Sequence, residues 1–587
     1  MSKWFLSAKR ADFEEIGKNF GISPVLARII RNRDMITEEE IEKYLKGGLG
    51  DLYDPYLLFG LRQAVEILQE KINQGASIRV IGDYDVDGIC ATYILKKGLW
   101  LCGAKVDRVI PHRIKDGYGI NEQLIQEAYE EGIDTIITCD NGIAAMEPII
   151  LAKKMGMTCI ITDHHEVPFE ETEEEKKYKI PPADVVIDPK IEECKYPFKK
   201  ICGAVVAWKL VTALLDVFQV KEEERGDLLE LAGFATICDV MELKDENRII
   251  VKEALKSMSH TKNKGLEALL KVYEITPDSL SAYHIGFVLG PCFNATGRLD
   301  TAIGALELLE CEKEREAIFL AAGLRDLNES RKEMTEQGMK EAIEQVETMG
   351  YNKDKVMVAY LPHCHESLAG IIAGRIREKY SRPAFVLTDG EEGVKGSGRS
   401  MDCYHMYEEM TRCKELFTKY GGHKLAAGLS MERENVDIFR KRMNENCKLE
   451  EEEFQEKILI DIALPLSYVT KDFLKELDLL EPFGMGNQKP VFAQKEISFL
   501  SMRIMGKNKD MAKFVVEDKE QNRFQLVLFR KLDEFLDKVE EKYGRTAREA
   551  LYAGRSAQTV KMNIIYYPNL NCFMGKEEIQ FIMQHWN

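Results

Sequence analysis

The sequence has no uninterrupted apolar run near the ~18–20 residues that a bilayer-spanning helix requires, which excludes a helical membrane protein. Its start, MSKWFLSAKRADFEE, breaks into charges at once and reads as lacking the apolar core of a secretion signal. The 14 cysteines are scattered and contain no CxxC pair. That argues against a disulfide framework or a structural zinc site, and for reduced core thiols in a cytoplasmic protein. Positive charge is not in excess: 81 Lys and Arg against 99 Asp and Glu leave −18. Coating nucleic acid through bulk charge is thereby disfavoured, while a local basic groove or carboxylates clustered on metal cations stay open. There is no internal repeat and no low-complexity tract. What is present is an ordinary globular balance, 45% apolar and 31% charged over 587 residues. Wholesale disorder is excluded, and the length implies several domains.

Along the chain, residues 1–76 carry apolar positions at helical spacing, as in FEEIGKNFG and PVLARIIRNRD. Short β-branched runs then appear at Ile78–Ile81, Val106–Ile110, Thr135–Thr138, Thr158–Thr162 and Asp184–Ile187, with helical stretches between most of them. This alternation predicts a doubly wound parallel sheet. The charged, proline-ended segment Glu166–Pro182 reads as a surface loop insertion. Residues 201–350 are mostly helical in pattern, and Glu312–Met349 is expected to be a long helix, broken at most once, joining two bodies. Mixed α/β pattern returns over 353–446. Leu449–Lys457 reads as a linker, followed by short strands of a small β-barrel with a helical insertion around Asp533–Ala550.

The loops after three of the early strands hold the chemistry. Ile78–Ile81 leads into Gly82-Asp83-Tyr84-Asp85-Val86-Asp87-Gly88, Thr135–Thr138 into Asp140-Asn141-Gly142, and Thr158–Thr162 into Asp163-His164-His165. In an open parallel sheet, ligands bind beyond the carboxyl ends of the strands. These turns therefore aim about five carboxylates and two imidazoles at one crevice. Carboxylates so crowded cannot all ionise without a cation. Asp and His together suit Mn²⁺ or Mg²⁺, and the absence of cysteine from the set speaks against structural zinc. Taken singly, each motif has a plainer reading as a turn or a packed histidine. DYDVDG in particular lacks the later Glu of a calcium loop.

In this order, and with Cys238-Asp239-Val240 in a helix, these motifs resemble the DHH phosphoesterase superfamily. HRIKDGYG (112–119), GPCFNATGRLD (290–300), SGRS (397–400) and GGHKLAAG (421–428) narrow the resemblance to the RecJ-type single-strand-specific exonucleases, and LEPFGMGNQKPVF (480–492) is similar to their oligonucleotide-binding barrel. The resemblance implies an α/β chain: an N-terminal helical segment (1–76), a doubly wound parallel-sheet DHH domain (77–310), a linker helix (311–350), a smaller α/β DHH-associated domain that binds substrate (351–447) and a C-terminal OB-fold barrel (455–587). It implies two divalent cations, Mn²⁺ or Mg²⁺, with Asp83, Asp85 and Asp140 on one and Asp87, Asp140, His164 and Asp239 on the other. His165 would contact the reacting phosphate or leaving oxygen, and Asp163 would orient the metal shell. Substrate contacts would come from Arg113, Tyr118, Asn294, Arg298, Ser397, Arg399, Gly421, Gly422 and His423. Two departures stand out: Cys292 where many members carry arginine, and altered surroundings of His365 in CHESLAG.

The implied activity is two-metal, 5′→3′ hydrolysis of single-stranded DNA to 5′-mononucleotides in repair and recombination. The expected setting is a cytoplasmic monomer acting on single-stranded DNA, with a single-strand-binding protein and a helicase as candidate partners and no membrane. Two alternatives are a DHH phosphodiesterase of short oligonucleotides or cyclic dinucleotides, and a non-catalytic DNA-binding scaffold. The intact carboxylate set disfavours the scaffold.

Overall fold

The computed structural model describes residues 2–113, 116–117, 119–171, 176–506, 509–554, 560–573 and 576–587. The chain divides into two units, one formed by residues 52–241 and 250–456, the other by 2–51, 242–249 and 457–587. No helix among the described residues is long and apolar enough to cross a membrane.

The first unit opens with a five-stranded parallel sheet. Its order is Lys105–Val109, Ser77–Ile81, Thr135–Cys139, Thr158–Thr162, Val185–Ile187. The inner strands are almost wholly buried, because helices such as Leu61–Gln74, Val86–Leu101 and Gly203–Val217 cover the sheet and join its core. The chain runs from the second strand outward to the first, then returns to the third. The strand order therefore reverses between Ser77–Ile81 and Thr135–Cys139, the position where such sheets bind ligands.

The helix Glu314–Thr348 is unbroken over 35 residues, ~50 Å at 1.5 Å per residue. Its buried stripe runs Ala317, Ala321, Leu324, Asn328, Thr335, Gly338, Ala342, Val346. The first three join the core of the parallel sheet. The last two join the core of a second, mixed sheet, ordered Phe417–Gly422, Ala426–Met431, Val394–Arg399, Ala384–Asp389, Met357–Tyr360. One helix thus braces both sheets.

The second unit is a closed five-stranded barrel, shut by pairing of Phe492–Met505 with Lys561–Phe573. Helices Leu532–Tyr543 and Arg545–Tyr552 fall where a helical insertion is expected. Residues 1–76, helical throughout by pattern, are not one body. Lys3–Leu6 is a strand paired with Lys457–Ile460. Leu26, Ile29, Ile30 and Ile41 share the barrel's core, whereas Leu61–Gln74 belongs to the parallel sheet. The expected loop Glu166–Pro182 carries a short hairpin, Phe169–Glu171 with Lys176–Tyr178. A periodic apolar stripe tells that a segment is covered, not what covers it.

Candidate metal centre and phosphate cleft

Each carboxylate of the crevice is aimed by a local device. Asp85 caps the helix Val86–Leu101, accepting the Gly88 N–H at 3.1 Å. Asp87 receives the Gly203 and Ala204 N–H groups at 2.7 and 2.8 Å, at the positive end of the helix Gly203–Val217. Asp140 turns into the crevice with left-handed backbone, φ 60°, its N–H donating to Thr162 O. Asp239, expected within a helix, is the residue that caps the end of Gly226–Cys238. It is followed by Val240 at φ 57°, a strained conformation for a β-branched residue.

These devices converge. His164 Nε2 lies 3.1 Å from Asp140 Oδ1, 3.5 Å from Asp87 Oδ2 and 3.9 Å from Asp239 Oδ2. Potential ligand atoms gather within 4.8 Å of one another in three groups: Asp83, Asp85 and Asp140; Asp87, His164 and Asp239; and Asp140, His164 and His165. Asp140 is common to the first and third. Among the described residues no partner stands at good hydrogen-bond geometry to either buried Asp83 oxygen or to His164 Nδ1, although the Tyr84 and Gly119 backbone lies near Asp83.

The electrostatics fit a cation site. Burial, and then the Asp85 charge, push the Asp83 carboxyl up to about 8. Burial and then Asp87 and Asp85 push Asp239 up to about 8. Asp85 and Asp140 are raised for the same reasons, and burial lowers His164. Divalent cations would relieve this repulsion. The neighbouring Cys202 and Cys238 thiols are pushed far up by burial, so they offer no thiolate. Oxygen and imidazole donors alone suit Mn²⁺ or Mg²⁺.

Asp163 faces its neighbours rather than the carboxylates. Its Oδ1 lies 2.7 Å from His165 Nδ1 and accepts the His164 N–H at 2.7 Å and the His165 N–H at 3.2 Å. Its Oδ2 accepts the Ile143 N–H at 2.9 Å. Burial would raise Asp163, but these bonds and the His165 charge hold it below its usual range. Burial would likewise lower His165, yet the bond to Asp163 and the charges of Asp163, Asp87 and Asp239 raise it to about 9.

The second sheet faces this region across a cavity of about 540 Å³. Tyr84 and Arg113 line it from one side, Ser367, Ser397, Lys419, Tyr420 and Gly421 from the other. The Arg113 guanidinium stacks 4.8 Å over the Tyr84 ring, so cationic surface begins at the loop that bears Asp83 and Asp85. Arg298 donates to Ser367 O at 2.6 Å, and Arg399 to Ser397 Oγ at 3.1 Å and Gly398 O at 2.8 Å. Burial, then Arg113, Arg331 and Arg399, bring Arg298 down to about 10. Arg399 is lowered by burial, then by Arg113 and Arg377. An anion near such guanidinium groups would relieve their mutual repulsion. Asn294 is half-buried one turn before Arg298.

Not every expected contact reaches the cavity. GGHKLAAG is a β-hairpin, with His423 exposed at its turn and both His423 and Gly422 outside the cavity lining; Asn294, Arg298 and Arg399 also lie outside it, the two arginines reaching only the backbone and side chains that border it. Tyr118 lies outside the described residues. Sequence reasoning missed Tyr84, which sits in plain view inside DYDVDG. It also missed Asp188, buried directly after the fifth strand and raised by burial to about 7. A carboxylate at the end of a β-branched run was the available signal. Gly203 carried no signal, because its role depends on Asp140 and Asp87, far away in the chain.

Three family models match the chain: the DHH family N-terminal domain over residues 77–236, the DHHA1 domain over 353–449 and the RecJ OB domain over 460–585. The single-stranded-DNA-specific exonuclease RecJ of Bacillus subtilis is 35% identical over 514 residues, 87% of this chain; the chain spans 63% of that relative's length. The Escherichia coli RecJ is 32% identical over 508 residues, 83% of this chain and 85% of the relative. The crystal structure of Thermus thermophilus RecJ with Mn²⁺ superposes with a TM-score of 0.81 at 26% identity, covering 100% of this chain and 79% of that one.

Proposed function

The chain belongs to the RecJ family, and on that premise we propose that it is a metal-dependent exonuclease releasing 5′-mononucleotides from single-stranded DNA in the 5′→3′ direction. The observation that carries this reading is the set of three overlapping ligand groups, two sharing Asp140 and two sharing His164, at the point where the sheet order reverses. Asp83, Asp85 and Asp140 would hold one Mn²⁺ or Mg²⁺, and Asp87, Asp140, His164 and Asp239 the other. When bound, the pair supplies positive charge at a phosphodiester and lowers the pKa of water.

The chain's own groups do the rest. Asp163 engages His165 Nδ1, which leaves Nε2 to donate to a phosphate or leaving oxygen. The N–H groups of Gly203 and Ala204 hold Asp87 in place. Arg113, Arg298, Ser397 and Arg399 position DNA phosphates, with Asn294 beside them. Gly421 and Gly422 admit close backbone approach, and the exposed His423 is available to the strand. The barrel grips the strand by basic contacts and base stacking. The free thiols support a reducing, cytoplasmic setting. There the protein acts as a monomer in repair and recombination, with a single-strand-binding protein and a helicase presenting the strand.

The test is Mn²⁺-dependent digestion of single-stranded DNA labelled separately at each end. The 5′ label is expected in mononucleotide from the earliest times, while the 3′ label shortens stepwise. Asp140→Ala should be inactive. Release of the 3′ label first, or turnover of dinucleotides alone, would overturn the reading.

A further inference from the structure

The long helix carries a cation with no stated role. We infer that Arg331 binds a phosphate group of the DNA strand in the cleft between the two sheets of the first unit, with Asn328 and Cys292 as positioning residues. The inference rests on the exonuclease reading for its substrate, not for its chemistry.

Position is the first argument. Ala317, Ala321 and Leu324 pack into the parallel-sheet core, and Ala342 and Val346 into that of the second sheet. Arg331 falls on the same inward stripe between them, half-buried, where the helix crosses from one core to the other. A surface lysine or arginine of this helix would face outward.

Charge is the second. Among the described residues no carboxylate lies within ion-pair distance of Arg331; its hydrogen bond is to Asn328. Burial lowers its pKa, and Arg375 lowers it further. Arg298 feels Arg331 alongside Arg113 and Arg399. Arg298 is tied to Ser367 O, and a Cβ on Gly370, one turn along the helix Glu366–Tyr380, would lie 2.7 Å from an Arg399 nitrogen. Guanidinium groups from three elements thus neighbour one another; the carboxylate that Arg331 feels, Glu329, is itself paired with Lys332 at 2.7 Å, and a phosphate would offset the remaining repulsion.

The third is the way the side chain is held. Arg331 Nε donates to Asn328 Oδ1 at 3.0 Å. Asn328 is fully buried, and its Nδ2 donates to Cys292 Sγ at 3.6 Å. Cys292 Sγ lies 3.0 Å from the Tyr273 hydroxyl and donates its S–H to Val288 O at 3.2 Å. Cys292 is therefore not a solvent-facing substitute for arginine but a buried acceptor, on the helix that also carries Arg298. With Nε engaged, both terminal nitrogens of Arg331 keep their fork for bidentate contact.

The test compares the full-length wild-type protein with Arg331→Gln, Arg331→Lys and Asn328→Ala. Inorganic phosphate added to metal-free protein should raise the wild-type Tm, and raise that of Arg331→Gln less. Without phosphate, Arg331→Gln should melt no lower than wild type, because a like charge has left the cluster. With Mn²⁺, its kcat/KM should fall ten- to a hundredfold, Arg331→Lys should lie between, Asn328→Ala should lose less, and Mn²⁺ affinity should hold. Loss confined to 5′-phosphorylated strands assigns the terminal phosphate; equal loss on 5′-hydroxyl strands assigns an internal one. Wild-type kcat/KM on both strands, or a lowered Tm with lost Mn²⁺ binding, would overturn the assignment. Phosphate binding is read apart from turnover, so a wild-type protein inert toward DNA would sink the exonuclease reading while the phosphate shift still decided on Arg331.

Discussion

A Cβ placed on Gly203 would lie 2.7 Å from the Asp140 Cβ and 2.8 Å from its Oδ1. The same glycine donates its N–H to Asp87. One backbone position is thus pressed against the shared carboxylate while holding another.

Gly203→Ala should therefore displace Asp140 or pull the N–H off Asp87. Overpacking of this kind costs roughly 1–3 kcal/mol. The expected result is a folded protein with Mn²⁺ affinity reduced by about tenfold or more and a matching loss of activity. Calorimetric Mn²⁺ titration beside circular dichroism checks it; unaltered affinity would show that the turn yields without moving the ligands.

The metal-free protein should lose stability as pH rises. Asp83 and Asp239 titrate near 8 in the folded chain, above the ordinary carboxylate range. The folded state then holds more protons than the unfolded one, so this stability is present at low pH and is lost as pH rises toward about 8. His165, raised to about 9 by Asp163 and the nearby carboxylates against the effect of burial, acts with the same sign above its ordinary value. In EDTA, Tm should fall from about pH 4, the ordinary carboxylate range, to about pH 9, where His165 has lost its proton. Saturating Mn²⁺ should flatten that slope, because cations replace protons on the carboxylates, and binding at pH 7 should release protons. A flat or rising profile in EDTA would contradict the electrostatics given for the crevice.

Asp163→Asn should separate orientation from metal binding. The amide keeps one acceptor but sets an N–H₂ group against donors that now share two oxygens. Activity should drop roughly ten- to a hundredfold. The His165 pKa, followed by NMR in metal-free protein, should fall back toward its ordinary value. A His165 titration unmoved by the substitution would remove Asp163 from this role.

The local chemistry of the crevice was legible in the chain alone. Asp83, Asp140 and Asp163 each stand within two residues of a β-branched run, and the end of a strand is where such a residue is forced out of the sheet. Strand alternation with helices, the long helix and the closing barrel were legible for the same reason, since periodicity of two or 3.6 residues is written locally. Partnership across distance was not. Nothing between Gly203 and Asp87 announces a contact over 116 positions. The helical patterns before residue 76 do not say that Leu26 joins the barrel while Leu68 joins the parallel sheet. The glycines of GGHKLAAG suit a turn before a helix as well as the hairpin they form. The substitution at Cys292 reads as a lost cation until its thiol is seen between Tyr273, Val288 and Asn328. The sequence by itself determined which residues could ligate metal and which segments had to be buried, because both follow from side-chain chemistry and local period. Only the tertiary structure decided which backbone N–H groups hold Asp87, which glycine presses on Asp140 and which arginines neighbour one another, because those depend on strand order and on packing between elements far apart in the chain.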